Sequence, residues 1–148
     1  MKTKKTPEEH AAEAYILDAQ VGFLLRLAQQ RHTAIFVSRM IEDLTPTQWA
    51  ALARLKEIGP SSQNLLGRLT AMDAATIKGV IDRLTRRGFT KTKPDPADGR
   101  RVLVALTAQG AALYDRVMPI AARITEETLA SLSESERTEF LALLSKLA

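Results

Sequence analysis

Residues 73–88 have the sequence DAATIKGVIDRLTRRG, and the fold can be inferred outward from this segment. Asp73 is a favourable N-cap residue for a helix, and Gly88 is a typical C-terminal stop. Four apolar residues between them are spaced i, i+3, i+4 and i+7, which predicts a helix with one buried face. These residues are Ile77, Val80, Ile81 and Leu84. The opposite face of this helix is therefore free to contact a partner.

Two further helices are predicted on the N-terminal side of this segment. Residues 45–48, TPTQ, form a capping box with proline at the first helical position, and the helix that they begin stops at residues 59–60, Gly-Pro. A short helix follows from Ser62 to about Leu69. A helix, a short helix, a turn and a second long helix are the order of a helix-turn-helix unit.

The hydrophobic period changes on the C-terminal side. Residues 89–93 and 101–106 are rich in β-branched residues and flank a polar tip with the sequence PDPADG, residues 94–99. This pattern predicts a β-hairpin with a long charged tip. A basic hairpin directly after a helix-turn-helix unit predicts a winged helix-turn-helix.

The remaining segments are helical. Residues 9–43 are apolar on two opposite faces, and a capping box at residues 133–136 begins the last of the helices predicted over residues 107–147. A helix with two apolar faces must be covered on both, and in a short chain the second cover is most simply another subunit. We therefore predict a single domain, residues 1–148, that is mainly α with a small β-hairpin wing. Its DNA-binding lobe spans residues 45–106, and the helices of residues 9–43 and 107–147 form an intertwined dimer interface.

Composition excludes several classes of function. The chain has 148 residues, of which 45% are hydrophobic and 26% charged, and it contains no cysteine. Disulfides, thiolate metal sites, cysteine nucleophiles and thiol-based redox sensing are thereby excluded. The sequence has no apolar run of the roughly 20 residues that a membrane span needs, and residues 1–13 lack the apolar core of a signal peptide. We expect a soluble cytoplasmic protein that does not interact with membranes.

The distribution of charge indicates a polyanionic partner. Residues 68–101 contain nine basic and four acidic side chains, a net charge of +5, whereas the whole chain has +4 and the other residues therefore sum to −1. Lys2, Lys4 and Lys5 add a basic N-terminus. A basic block in an otherwise acidic body is typical of DNA-binding proteins, although a solvated surface explains the charge alone equally well.

In a winged helix-turn-helix the second helix of the unit enters the major groove, and its outward residues contact DNA. Small residues at its N-terminal end allow close approach to base edges, and longer polar ones donate to bases or phosphates. From the hairpin tip, Arg100 can reach the adjacent minor groove while Asp98 orients its guanidinium. A solvated helix face and an ordinary charged turn are the alternatives. The candidate DNA-binding residues are Ala74, Ala75, Thr76, Lys78, Gly79, Arg83, Arg86, Asp98 and Arg100.

The sequence does not favour an enzyme or a metal site. It contains two histidines, no glycine-rich phosphate loop and no Gly-x-Ser-x-Gly elbow, so we assign no catalytic residue and no cofactor. Glu9, His10 and Glu13 have helical ligand spacing, but zinc would need further ligands that the sequence does not supply nearby. A solvated helical turn explains these three residues more simply.

Taken together, the segments resemble the MarR family of winged helix-turn-helix regulators over about residues 14–147. The resemblance implies an obligate homodimer whose two lobes bind a pseudo-palindromic operator, and recognition helices in successive major grooves need half-sites about 10 bp apart. It rests on LTPTQW (44–49), DAATIKGVIDRL (73–84), RGF (87–89), DGRR (98–101) and LTAQG (106–110).

The resemblance also implies an effector. Family members are commonly released from DNA by small aromatic acids, and residues 20–26 with residues 32–36 resemble repressors of nicotinic-acid and related aromatic-acid degradation. His32 lies on an apolar face of the first helix with Arg39 two turns further on, and an imidazole and a guanidinium suit a carboxylate or a hydroxypyridine ring. A core histidine beside an interface arginine is the alternative. The candidate effector-binding residues are Gln29, His32, Thr33, Phe36, Arg39 and Trp49.

We thus predict a DNA-binding repressor that a small aromatic acid, such as nicotinic or hydroxynicotinic acid, releases from its operator. Two other functions stay open from the sequence, a metal-responsive regulator and a regulator without a ligand.

Overall fold

The computed structural model of the protein describes residues 14–148. The basic N-terminus, the segment without signal-peptide features and the Glu9, His10 and Glu13 group all lie outside the described residues. The described part of the chain is mainly helical, with one small antiparallel sheet, as predicted. In chain order its elements are α1 (Val21–Arg39), α2 (Pro46–Ile58), β1 (Ser61–Ser62), α3 (Gln63–Leu69), α4 (Ala74–Arg86), β2 (Thr90–Pro94), β3 (Val102–Leu106), α5 (Ala108–Thr128) and α6 (Glu134–Ser145).

The predicted capping residues begin their helices. Thr45 and Gln48 form a reciprocal capping box on α2, and Ser133 and Glu136 form another on α6. The Asp73 carboxylate accepts a hydrogen bond of 2.7 Å from the backbone N–H of Thr76, which satisfies an otherwise unpaired donor of the first turn of α4. These local signals explain why the starts of α2, α4 and α6 were predictable.

The first helix is shorter than the predicted segment of residues 9–43. A 3₁₀ turn, Leu17–Ala19, precedes α1, and Gln20 between them has an extended backbone with its side-chain amide donating to the carbonyl of Ile16 at 2.8 Å. At the other end Glu42 and Asp43 take positive φ angles of 58° and 50°, which a right-handed helix cannot contain. The prediction of one unbroken helix is therefore wrong at Gln20 and beyond Arg39.

The sheet has three strands in the order β1-β3-β2, one more than the predicted hairpin. β2 and β3 pair antiparallel from Thr90 opposite Leu106 to Pro94 opposite Val102, close to the predicted bounds. On the other side of β3, Ser61 pairs with Val104. The two serines of β1 are too short a run to produce a period of two in the sequence, so this strand was missed.

The core lies where α2, α3, α4, β3 and α5 meet. The predicted stripe of α4 is buried against leucines of the neighbouring helices, including Leu52 of α2, Leu66 of α3 and Leu113 of α5. Burying one stripe of α4 turns its remaining face outward to solvent.

One glycine allows α5 to approach the start of the hairpin. A Cβ atom on Gly110 would lie 2.0 Å from the carbonyl oxygen of Phe89, far inside van der Waals contact. Thr107 strengthens this junction, because its hydroxyl donates to the carbonyl of Gly88 at 2.6 Å. The first turn of α5 is therefore tied directly to the turn that follows α4.

The helices at the two ends of the described chain expose apolar side chains. On α1, Val21 is 63% and Val37 is 70% exposed, although they lie on different sides of the helix. None of the residues of α6 is buried, and Phe140, Leu141 and Leu143 are among its exposed ones. No helix within residues 14–148 combines the length and the apolar character that crossing a membrane requires.

Candidate DNA interface and ligand pocket

The outward face of α4 presents the predicted contact residues to solvent. Six of the seven candidates on this helix are exposed, and the backbone of Gly79 between them is partly exposed. The small residues stand at the N-terminal end and the two arginines near the C-terminal end, so that end bears the positive charge. The six exposed residues are Ala74, Ala75, Thr76, Lys78, Arg83 and Arg86.

Two of the cations on α4 have defined positions. The Lys78 ammonium donates to the carboxylate of Asp82 at 2.8 Å, and this hydrogen bond, with the positive charges of Lys78 and Arg86, lowers the pKa of Asp82. The Arg83 guanidinium lies over Gly79, with Nη1 3.6 Å from the position of a Cβ atom there. That distance is ordinary van der Waals contact, so the Arg83 side chain lies along the outward face beside Gly79 without requiring a glycine there.

Backbone hydrogen bonds shape the tip of the β2–β3 hairpin, hereafter the wing. The carboxylate of Asp98 accepts from the backbone N–H of Arg100 at 3.0 Å, and that of Asp95 accepts from the N–H of Ala97 at 2.9 Å. The sequence predicts that Asp98 orients the guanidinium of Arg100, but the hydrogen bond between these residues joins the carboxylate to the backbone N–H. A spacing of two residues favours this turn, because the short Asp side chain reaches the N–H two positions on.

The nine cationic residues of the basic block, residues 68–101, lie at the surface. They are distributed over α3, α4, the loop after it and the wing, and Arg87 is partly covered through its ion pair with Glu42. These residues are Arg68, Lys78, Arg83, Arg86, Arg87, Lys91, Lys93, Arg100 and Arg101.

Three of the six candidate effector residues share one pocket. His32 and Phe36 of α1 and Trp49 of α2 border a cavity of about 160 Å³, hereafter the His32 pocket. Ala121, Ile124 and Thr125 of α5 complete its wall. Its flat wall is fixed, because the ring of Trp49 stacks on that of Tyr114 with centroids 5.3 Å apart.

Arg39 lies apart from the His32 pocket. Its guanidinium donates to the carboxylate of Glu127 at 3.0 Å, and this hydrogen bond raises the pKa of Arg39. It borders a different cavity, of about 530 Å³, together with Arg123 and Glu126. Arg39 lies seven positions after His32, about 10 Å further along the helix axis, so two residues on the same face of α1 need not line the same site.

Gln29 and Thr33 also lie outside the His32 pocket. The Gln29 amide donates to the Thr33 hydroxyl at 3.3 Å, and both residues line an open cleft on the exposed side of α1 with Arg26 and Val37. Gln29 additionally borders an apolar cavity of about 500 Å³ between α1, α5 and α6, which His32 also lines.

Sequence reasoning missed the contribution of α5. Thr125 lines the His32 pocket, and the hydroxyl of Thr128 lies 2.9 Å from Nδ1 of His32. Two threonines almost one turn apart beside the apolar stripe of α5 were a weak signal, but nothing local relates them to His32, which is 96 residues from Thr128.

A metal site has no support in the described part of the chain. Residues 14–148 contain no group of three or more His, Cys, Asp or Glu side chains arranged to hold an ion.

Comparison with known proteins identifies related sequences and structures. A model of the MarR family matches residues 44–102. The chain is 44% identical over 150 residues to the HTH-type transcriptional repressor NicR of Pseudomonas putida, covering 99% of this chain and 95% of NicR.

Two solved structures match most of the chain. One is a probable transcriptional regulator from Pseudomonas aeruginosa, with a TM-score of 0.88 and 51% identity, covering 90% of this chain and 100% of that one. The other is BpsR of Bordetella bronchiseptica, whose DNA binding is described as regulated by 6-hydroxynicotinic acid. It has a TM-score of 0.87 and 41% identity, covering 91% of this chain and 97% of BpsR.

Proposed function

The chain belongs to the MarR family of transcriptional regulators, and from this we propose that it is a DNA-binding repressor released by a small aromatic acid. The observation that carries the DNA-binding part is the clustering of the cationic residues of 68–101 at the surface of α4 and its surroundings. Clustered cations displace the counterions condensed on DNA and so favour binding. Acting on the chromosome would place the protein in the cytoplasm.

In this proposal α4 enters the major groove. Ala74, Ala75 and Gly79 permit close approach, and Thr76, Lys78 and Arg83 contact bases or phosphates. Arg86 contacts the phosphate backbone of the DNA from the C-terminal end of α4. Lys78 must exchange its bond with Asp82 for a DNA contact, which an exposed ion pair permits at little cost.

The wing extends the contact beside the groove. Asp98 holds the backbone of the tip, and Arg100, whose side chain is exposed, reaches the minor groove. Because a narrow minor groove attracts guanidinium through its negative potential, this contact adds affinity with little sequence information.

We propose that two chains form an intertwined homodimer through α1, α5 and α6. The apolar side chains on different sides of α1 and along α6 need a cover, and a second copy supplies the same surface in return. Two lobes related in this way suit a pseudo-palindromic operator with half-sites about 10 bp apart. The lobe is formed by residues 45–106, within one domain.

The effector part of the proposal is centred on the His32 pocket. Its volume of about 160 Å³ suits a single aromatic ring, since a cavity of about 150 Å³ accommodates benzene. Phe36 and Trp49 supply apolar walls and His32 a polar group, which is the composition expected of a small-ligand site. NicR by its name and BpsR by the acid that regulates it favour a nicotinic or hydroxynicotinic acid.

Gln29, Thr33 and Arg39 belong to this proposal as outer contacts. Arg39 reaches a ligand carboxylate only by leaving Glu127, and Gln29 approaches His32 from the larger apolar cavity. Binding of the acid between α1, α2 and α5 would favour a spacing of the lobes that no longer fits the operator.

The test is binding to the DNA upstream of the protein's own gene, followed by fluorescence anisotropy, with a shuffled sequence as control. Nicotinic and hydroxynicotinic acids should release the protein from the DNA, whereas hexanoic acid, a carboxylate without a ring, should not. Equal affinity for the shuffled DNA would contradict a sequence-specific regulator. Tight specific binding that neither aromatic acid weakens would reject the effector and favour a regulator without this ligand.

A further inference from the structure

The hydroxyl of Thr128 is the hydrogen-bond partner of one ring nitrogen of His32. The hydroxyl oxygen of Thr128 lies 2.9 Å from Nδ1 of His32, and the same hydroxyl lies 2.8 Å from the carbonyl oxygen of Ile124. A hydroxyl has one hydrogen to donate, whereas its oxygen accepts freely. If that hydrogen goes to Ile124, Nδ1 must be the donor to Thr128.

Counting hydrogen bonds favours this arrangement. With Nδ1 protonated, Nδ1–H donates to Thr128 and the hydroxyl donates to Ile124, which makes two bonds. With Nδ1 bare, the hydroxyl must turn to His32 and its bond to Ile124 is lost, which leaves one. The bond from a threonine hydroxyl to the carbonyl four residues earlier is also a common one within helices.

Thr128 is held firmly in place for this contact. The guanidinium of Arg31 on α1 donates to the carbonyl of Thr128 at 2.5 Å and to that of Glu127 at 3.1 Å. Arg31 therefore anchors the last turn of α5 to α1 through the same segment that contacts His32. A cation at the C-terminus of a helix is also favoured by the helix dipole.

The other ring nitrogen, Nε2, is then the hydrogen-bond acceptor of neutral His32. Within residues 14–148, the hydrogen bond of the His32 ring is made by Nδ1, and Nε2 makes none. His32 borders both the His32 pocket and the larger apolar cavity, so a ligand in this region meets an imidazole whose free nitrogen accepts. A partner for it must carry an N–H or O–H.

We propose that Thr128 is a positioning residue that fixes the Nδ1-protonated tautomer of His32 and thereby selects aromatic acids with a ring N–H or O–H. This inference rests on the proposed effector function and adds a preference within that ligand class. Hydroxynicotinic acid, which offers such a donor, binds more tightly than nicotinic acid. One added hydrogen bond corresponds to about a three- to tenfold difference in Kd.

The tautomer can be observed directly by ¹⁵N NMR of the imidazole. The chain has two histidines, so in a His10→Gln background all imidazole signals come from His32. We expect the protonated nitrogen to be Nδ1 in this background and in Thr128→Ser, which retains the hydroxyl. In Thr128→Val, which keeps the shape but has no hydroxyl, that preference should be lost.

Calorimetric titration of the same proteins measures the Kd of aromatic acids with and without a ring N–H or O–H. The probes are 6-hydroxynicotinic acid, nicotinic acid and 6-methoxynicotinic acid. The last keeps the oxygen substituent at position 6 but carries no hydrogen on it. The hydroxy acid should bind about three- to tenfold more tightly than the other two in the parent and in Thr128→Ser. In Thr128→Val the three affinities should converge, while its circular dichroism spectrum shows that it is folded.

Two results would overturn the inference, a protonated Nε2 in the neutral parent protein or an unchanged affinity ratio in folded Thr128→Val. The failure of the proposed function has a different signature. In that case none of the acids binds the parent, although its His32 still shows protonated Nδ1.

Discussion

The guanidinium of Arg39 lies 3.0 Å from the carboxylate of Glu127, and this ion pair joins the last residue of α1 to the last turn of α5. A cation that would suit a ligand carboxylate is thus already paired within the protein. Its side chain is 59% exposed, so the pair is screened by water and contributes little to stability. His32 and Arg39 accordingly should differ in how strongly they affect effector binding.

We expect His32→Ala to abolish release from DNA by the aromatic acid, because it removes the polar group of the His32 pocket. Arg39→Gln should raise the Kd of the acid by less, since Arg39 must first leave Glu127. Calorimetric titration and anisotropy on operator DNA measure both effects. Release that is unchanged in His32→Ala would contradict the effector site.

Arg100→Ala should weaken binding to every DNA sequence to a similar extent. Loss of one phosphate or minor-groove cation should also reduce the slope of log K against log salt by about 1. Anisotropy titrations between low and moderate salt measure this slope. Lys56→Ala, an exposed lysine of α2 that is not among the candidate DNA-binding residues, is the matched control and should leave it unchanged. A loss confined to one base pair would contradict the proposed position of the wing.

Substitutions of Asp98 distinguish its two possible interactions. Because the carboxylate accepts from the backbone N–H of Arg100, Asp98→Asn should retain the turn and most DNA affinity, whereas Asp98→Ala should lose both. If Asp98 instead acted through its charge on the guanidinium, Asn and Ala would impair DNA binding equally. Anisotropy on operator DNA provides the comparison.

Stability should depend on pH through the cap of α4. Hydrogen bonds from Thr76 lower the pKa of Asp73 below its usual value of 3.8. A carboxylate with a lowered folded pKa stabilises the fold above the unfolded pKa, and that contribution is lost as the pH falls through the folded value. Asp73→Asn keeps a capping oxygen without titrating.

We therefore expect the stability advantage of the parent over Asp73→Asn to shrink between about pH 5 and about pH 2. Urea unfolding followed by circular dichroism, at fixed protein concentration and ionic strength, measures the difference. The concentration must be fixed because the proposed dimerisation would contribute to apparent stability. A difference that does not vary with pH would show that the Asp73 charge is not involved.

Gly110→Ala should destabilise the fold, because its Cβ would lie 2.0 Å from the carbonyl oxygen of Phe89. Forcing an atom into a packed contact costs about 1–3 kcal/mol, and backbone on the other side has little room to move. Gly99→Ala is the matched control, since its Cβ would have nothing within 4 Å. Equal urea midpoints for the two variants would contradict the close approach of α5 to the hairpin.

The helix-turn-helix was predictable because its signals are local. Thr45, Ser62 and Asp73 cap helices through backbone groups three residues away, and the stripe of α4 repeats within two turns. The same reasoning places the candidate DNA residues outward, because burying one stripe exposes the other face. The hairpin followed from its change of period and its polar tip.

Contacts between distant segments could not be predicted in this way. β1 exists because β3, about 40 residues later, pairs with two serines that have no strand pattern of their own. His32 meets Thr128, and Arg39 meets Glu127, across 96 and 88 residues. Periodicity identifies the face of a helix, but the offset at which two helices pack depends on side chains along both of them. That offset, set in the folded chain, separates Arg39 from the His32 pocket and brings Thr128 to the imidazole.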